Sequence, residues 1–78
     1  MESFIGKKVE VKVAFGGYTV DGGSTPRNFV GVLKKVDGDF LVFSEVKAEK
    51  IVFTSRSFED YSNNATINKQ YIIMIAEV

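Results

Sequence analysis

An Asp-Gly pair near the middle of the chain, Asp37-Gly38, restricts the fold more than any other feature of the sequence. It separates two apolar runs rich in β-branched and aromatic residues, 29–36 and 40–46. Asp and Gly tolerate the positive φ angles of a two-residue hairpin turn, so this combination is a strong short-range signal for a β-hairpin. The sequence therefore predicts two neighbouring antiparallel strands joined at this pair.

The segment 8–15 alternates strictly between apolar and other residues, which is typical of a half-buried strand. Its predicted inward face carries Val9, Val11, Val13 and Phe15. In the strand that follows, Gly31 lies mid-run, where the missing side chain lets a strand bend or lets another backbone come close.

The remainder of the chain predicts two further strands. Residues 46–50 are polar and suggest a short connection from the third strand into a fourth at 50–56. Residues 58–68 suggest a loop, and 70–78 a closing strand. Between Gly16 and Asn28 the chain is rich in glycine and holds the only proline, which predicts a long connection.

These elements predict an all-β fold: a small, five-stranded, strongly bent antiparallel barrel, with one short helical turn within residues 2–6. A chain of 78 residues buries only about 60–65% of the surface of its unfolded form, so one domain spanning 1–78 is expected, with self-association as a source of further burial.

Composition excludes most catalytic chemistry. The chain has no cysteine and no histidine, and so has neither a thiolate nor an imidazole to act as nucleophile, base or metal ligand. The close carboxylate pairs, Asp37 with Asp39 and Glu59 with Asp60, are explained by turn chemistry and solubility. We therefore expect no enzyme, no metal and no cofactor.

The N-terminal residues lack the pattern of a secretory signal and no run is long enough to span a membrane, which predicts a cytoplasmic protein.

The order of these signals resembles the Sm-like (LSm/Hfq-type) family. Residues 6–9 and the run 31–37, with its glycine, leucine and turn aspartate, are similar to the first motif of that family. Residues 67–72 are similar in position to its second motif. Asn68-Lys69 stands where family members often carry an arginine-glycine pair, and Phe40-Leu41 stands where they usually carry an asparagine that contacts a base.

The resemblance implies a strongly bent, Src-homology-3-like barrel that forms a homo-oligomeric ring through its fourth and fifth strands. It also implies that the two loops at 37–41 and 67–70 line a pore that binds single-stranded RNA. The RNA-contacting residues expected on this basis are Asp37, Phe40, Asn68 and Lys69.

The closing strand is apolar on both predicted faces, with Tyr71, Ile73 and Ile75 on one and Ile72, Met74 and Ala76 on the other. Successive side chains of a strand point to opposite sides, so one barrel core cannot cover both sets. Either a subunit interface covers the surplus face, or the N-terminal turn does, through Phe4 and Ile5. The expected interface residues are Ile51, Phe53, Tyr71, Ile72, Ile73, Met74 and Ile75.

Two functions follow. The first is an RNA-binding ring, favoured by the order of the motifs. The second is a structural or protein-interaction module that keeps the barrel and uses the loop between Gly16 and Asn28 to contact a protein. This second function is favoured by the missing asparagine and by the balance of ten basic against ten acidic residues, because nucleic-acid binders normally carry a basic excess.

Overall fold

The computed structural model describes residues 2–14 and 27–78. These residues form five strands: β1 (Lys8–Val13), β2 (Asn28–Asp37), β3 (Phe40–Val52), β4 (Ser55–Asn68) and β5 (Ile72–Glu77). The strands make one antiparallel sheet in the order β4-β3-β2-β1-β5. The all-β class and the five antiparallel strands are confirmed. The described strands do not close into a barrel, because β4 and β5 are the two edges of the sheet.

Two short 3₁₀ turns complete the described structure, one at Glu2–Phe4 and one at Lys69–Tyr71. The first agrees with the predicted N-terminal turn, and its Phe4 packs against the core. The turn lies beside β2, and Phe4 packs against the same core cluster as Ile72 and Ile75 of β5. No helix in the described ranges is long and apolar enough to cross a membrane.

The predicted hairpin at Asp37-Gly38 is confirmed. Asp37 pairs with Phe40 across the turn between β2 and β3. Gly38 has a φ of +61°, in the left-handed region that glycine adopts at little cost.

The core lies on one face of this single sheet. Phe29 and Phe43 meet edge to face with ring centroids 5.4 Å apart, and both are fully buried. The other fully or nearly fully buried members of the cluster come from β1 to β4: Val9, Val11, Val13, Leu33, Leu41, Val46, Ala65 and Ile67. Since the described residues form no second layer over these side chains, the sheet curls so that its own strands cover them.

Two backbones approach each other closely in this curl at Gly31. A Cβ atom on Gly31 would lie 3.1 Å from the backbone oxygen of Ser44. Two β3 residues, Glu45 and Val46, lie opposite this one glycine, because the register shifts between Val30 and Val32. Glu45 has a φ of 53°, as expected for the extra residue of a bulge. The predicted close approach of another backbone at Gly31 is confirmed.

The predicted boundaries of the third and fourth strands are wrong. Residues 46–50 are not a connection but part of β3, which continues to Val52, and β4 includes the predicted loop at 58–68. The turn that joins them is Phe53-Thr54. Local preference indicated a loop, but pairing with the opposite strand supplies cross-strand partners that a single-strand pattern does not show.

The predicted faces of β5 are also wrong. Met74 pairs with Lys12 but Ile72 pairs with Val13, so Ile73 is an extra residue in a bulge. Side-chain alternation therefore shifts, and Ile72 and Ile75 both pack against the core. The closing strand begins at Ile72 rather than at residue 70, because Lys69–Tyr71 forms a 3₁₀ turn.

The first strand ends at Val13, short of the predicted end at residue 15. Phe15 and most of the connection predicted between Gly16 and Asn28 lie outside the described residues, and Asn28 itself begins β2.

Replacing Gly31 with alanine tests the backbone contact. We expect Gly31→Ala to lower the free energy of unfolding by about 1–3 kcal/mol, as overpacking does, because the new Cβ meets a backbone oxygen that cannot rotate away. Urea denaturation measures this. Gly38→Asn is the control, because no atom lies within 4 Å of a Cβ there and Asn tolerates a positive φ. Equal stability of Gly31→Ala and the wild type would contradict the close contact.

Candidate functional site

The two loops that the sequence singled out for RNA contact meet at one end of the sheet. Phe40, the first residue of β3, pairs with Asn68, the last residue of β4. The backbone N–H of Lys69 donates to the carbonyl of Asp39 at 2.8 Å. Asp37 faces Phe40 across the hairpin turn. We call this group of five residues the loop cluster; it contains all four predicted RNA-contacting residues.

The end of β4 shapes the loop cluster. The side-chain oxygen of Asn68 accepts a hydrogen bond from the backbone N–H of Gln70 at 3.0 Å, which caps the 3₁₀ turn that follows. The turn carries Lys69 back over the β2–β3 hairpin. There the Lys69 Nζ lies 3.5 Å from the Asp39 Oδ1. The loop cluster is thus held together by backbone pairing, by a cap and by an ion pair.

The charge of the loop cluster is not basic. Its one cation, Lys69, is paired with Asp39, and Asp37 adds a second carboxylate. Phe40 is partly buried and Asp37 and Lys69 are exposed. The cluster therefore offers one aromatic ring and one amide side chain, with little positive potential.

A second feature is the outer part of the β3–β4 hairpin, which we call the arm (residues 47–60). Within the arm Lys47 faces Asp60 and Lys50 faces Glu59, with N–O distances of 3.9 and 3.7 Å. These pairs lie on the surface, where each contributes at most about 1 kcal/mol. Arg56 also lies over the Phe58 ring, 4.9 Å from its centroid.

Arg56 joins the arm to the body of the sheet. Its guanidinium donates to Glu49 on β3 and to Glu10 on β1. Asn28 on β2 donates from its Nδ2 to Glu49 at 2.9 Å. We call these four residues the brace. Hydrogen bonding to Glu49, followed by the bond and charge of Glu10, raises the pKa of Arg56 above its ordinary value. A guanidinium is charged throughout the physiological pH range even without this shift, so the brace keeps its cation.

Beside the brace lies an open groove of about 580 Å³. Its apolar lining comes from Val13 on β1 and from Ile73 and Met74 at the bulge of β5. Its polar lining is formed by the brace together with Lys12 and Arg27. The Oδ1 atom of Asn28 is buried and has no hydrogen-bond partner.

The residues predicted to form a subunit interface separate into two surfaces. Ile51 and Phe53 lie at the tip of the arm, on the β3–β4 side of the sheet. Ile73 and Met74 lie on β5, at the opposite edge. Tyr71, Ile72 and Ile75 pack against the core.

The acidic side chains of the described ranges take no part in a metal-binding group. No three acidic side chains there converge to hold a metal ion. Three of the four carboxylates considered in the sequence lie beside cations: Asp39 beside Lys69, Glu59 beside Lys50 and Asp60 beside Lys47.

Sequence reasoning missed the brace. Arg56 and Glu10 are 46 residues apart, and no motif links them. The one available signal was the outward position of Glu10 on the alternating first strand, which shows an exposed carboxylate but not its partner.

Comparisons with protein-family models, with curated proteins and with solved structures found no match.

The role of Arg56 is testable by hydrogen exchange. We expect Arg56→Gln to accelerate amide exchange in the arm while exchange in β1 and β2 is unchanged, because the ion pair to β1 is lost but strand pairing remains. Lys50→Gln is the matched control, since its ion pair lies within the arm. Equal rates of amide exchange in the arms of the two variants would show that Arg56 does not fix the arm to the rest of the sheet.

Proposed function

We propose that this protein is a homo-oligomeric, Sm-like binding module that binds single-stranded RNA at the loop cluster. The observation that carries this proposal is the meeting of two distant chain segments at one end of the sheet, with Phe40 paired to Asn68 and Lys69 bound to Asp39. These are the two segments that the family resemblance implicates in RNA contact.

The side chains of the loop cluster suit a single-stranded ligand. Unstacked bases bind to aromatic faces, and the ring of Phe40 supplies one whose use does not depend on base identity. Asn68 uses its oxygen for the cap, and its amide N–H groups are suited to donate to a base or a phosphate. Lys69 supplies a cation for phosphate once it leaves Asp39.

The sheet edges support self-assembly. β4 and β5 each pair with one strand only, so both carry backbone groups without a strand partner in the described chain. A ring in which β4 of one copy pairs with β5 of the next would remove both edges and close the strongly bent sheet into a barrel-like assembly.

The charge of the loop cluster favours a second candidate, a protein-interaction module with the same fold. Lys69 is already neutralised by Asp39, and Asp37 would repel a phosphate. The whole chain has no basic excess. In this case the loop between Gly16 and Asn28 would contact a protein partner.

Titration with a fluorescent single-stranded oligoribonucleotide at several salt concentrations separates the two candidates. We expect Phe40→Ala to weaken binding about fivefold or more, since stacking contributes about 1–3 kcal/mol per base. Lys69→Ala should reduce the slope of log affinity against log salt by about 0.7, the value for one phosphate contact on a single strand.

The variant Asp39→Asn distinguishes the two candidate functions more sharply, because it is expected to change RNA affinity in the opposite direction. Removing the partner of Lys69 should tighten RNA binding if the loop cluster is the site. Lys12→Ala is the control, because this exposed lysine pairs with Asn28 at the start of β2, whereas the loop cluster lies at the end of β2. Absence of binding at low salt in all variants would reject the RNA function and leave the protein-interaction module.

Self-assembly is measured by light scattering after size-exclusion chromatography. We expect a discrete mass that is a small multiple of the 8.7 kDa of one chain, because pairing of β4 with β5 between copies ends when the ring closes. A monomer at all concentrations would reject the ring.

A further inference from the structure

The tip of the arm exposes apolar side chains. Ile51 is 63% exposed, Val52 49% and Phe53 98%. Phe53 also has a φ of 56°, in the left-handed region that a bulky residue rarely adopts. The positive φ belongs to the two-residue turn Phe53-Thr54, but an aromatic ring held almost wholly in water does not stabilise the isolated chain and therefore indicates a binding role.

The brace fixes the direction of the arm. It links the arm to β1 through Glu10 and to β2 through Asn28, so the tip is attached to the sheet at more than its base. A tip that is already positioned loses less conformational entropy when it binds.

The groove beside the brace complements the tip. Its apolar lining includes Ile73, which is 68% exposed, and Met74. Its unpaired acceptor, the Asn28 Oδ1, requires an N–H or O–H donor, because buried polar atoms are rarely left without one. A fitting occupant therefore brings an apolar side chain and a donor.

The tip meets both requirements. Ile51 and Phe53 supply apolar surface, and the hydroxyl groups of Thr54 and Ser55 supply donors. The segment 51–55 carries no charge, and the two carboxylates of the groove are already engaged by Arg56. Insertion would thus bury no unpaired charge. Lys12 and Arg27 are exposed and remain hydrated at the rim.

The tip cannot enter the groove of its own chain. Arg56 forms part of the groove wall only three residues after Phe53, and Phe53 stands free of the sheet. We propose that the arm tip of one copy inserts into the groove of a second copy, with Phe53 against Ile73 and Met74 and a tip hydroxyl donating to Asn28.

This contact rests on the proposed self-assembly and adds to it. A buried Phe contributes about 150–250 Å², so a tip and its groove bury several hundred square ångströms, less than the roughly 1,000 Å² of a stable interface. The contact therefore joins copies that are also held by strand pairing. The same two surfaces recur on every copy, as a head-to-tail assembly requires.

Disulfide trapping tests the contact, since the chain has no native cysteine. One sample carries Thr54→Cys at the tip and the other carries Lys12→Cys at the rim of the groove. The mixed samples are oxidised, and mixed disulfides are quantified by mass spectrometry. The control replaces Lys12→Cys with Lys34→Cys, an exposed strand lysine outside the groove. We expect the groove pair to cross-link at least about tenfold faster, because docking raises the local thiol concentration.

Adding Phe53→Ser to the tip copy should reduce this rate to the control level, and circular dichroism checks that the variant folds. Equal rates for the groove and control pairs in a protein that is oligomeric by light scattering would overturn this contact and leave the proposed assembly. A monomeric protein without selective cross-linking would overturn both. Equal cross-linking rates for the two pairs, together with Phe53-dependent binding to phosphatidylcholine vesicles, would overturn the contact between tip and groove and favour a lipid surface as the partner of the tip.

Discussion

The close approach of two backbones at Gly31 is the constraint on which the rest of the structure depends. A single sheet without a covering layer buries an apolar face only by curling. At Gly31 the Ser44 carbonyl oxygen would lie only 3.1 Å from an added Cβ atom, and β3 places two residues opposite one. Such a bulge increases local twist and bends the strand. Beyond this point β3 continues into the arm, whose Arg56 reaches Glu10 across the outer face of the sheet.

The predictable parts of the fold were those encoded in local patterns. The alternation along β1 and the Asp-Gly turn each determine a structure within a few residues, and both predictions agree with the strands found over Lys8–Val13 and around Gly38. The arm was not predictable, because Lys47 and Lys50 favour a loop until β4 provides their cross-strand partners, Asp60 and Ser57. The faces of β5 were not predictable either, since nothing in an uninterrupted apolar run marks Ile73 as the extra residue.

A similar distinction applies to the candidate site residues. The loop cluster could be anticipated because the family resemblance points to its two segments, and the sheet order then brings Phe40 to Asn68. The brace and the groove could not be anticipated, because they bring together residues of different strands that are far apart in the sequence. The two regions also differ in chemistry: the loop cluster is polar and internally paired, whereas the arm carries its apolar groups outward.

The position of β1 between β2 and β5 has a consequence for synthesis on the ribosome. β2, β3 and β4 are able to pair as successive hairpins soon after each is made, because the chain between them is short. β1 is made first, yet one side of it stays unpaired until Ile72–Glu77 has been translated. During that interval its free backbone groups, next to Val9 and Val11, are a template for other chains. The time that translation takes from β1 to β5 therefore sets how long this side of β1 stays exposed.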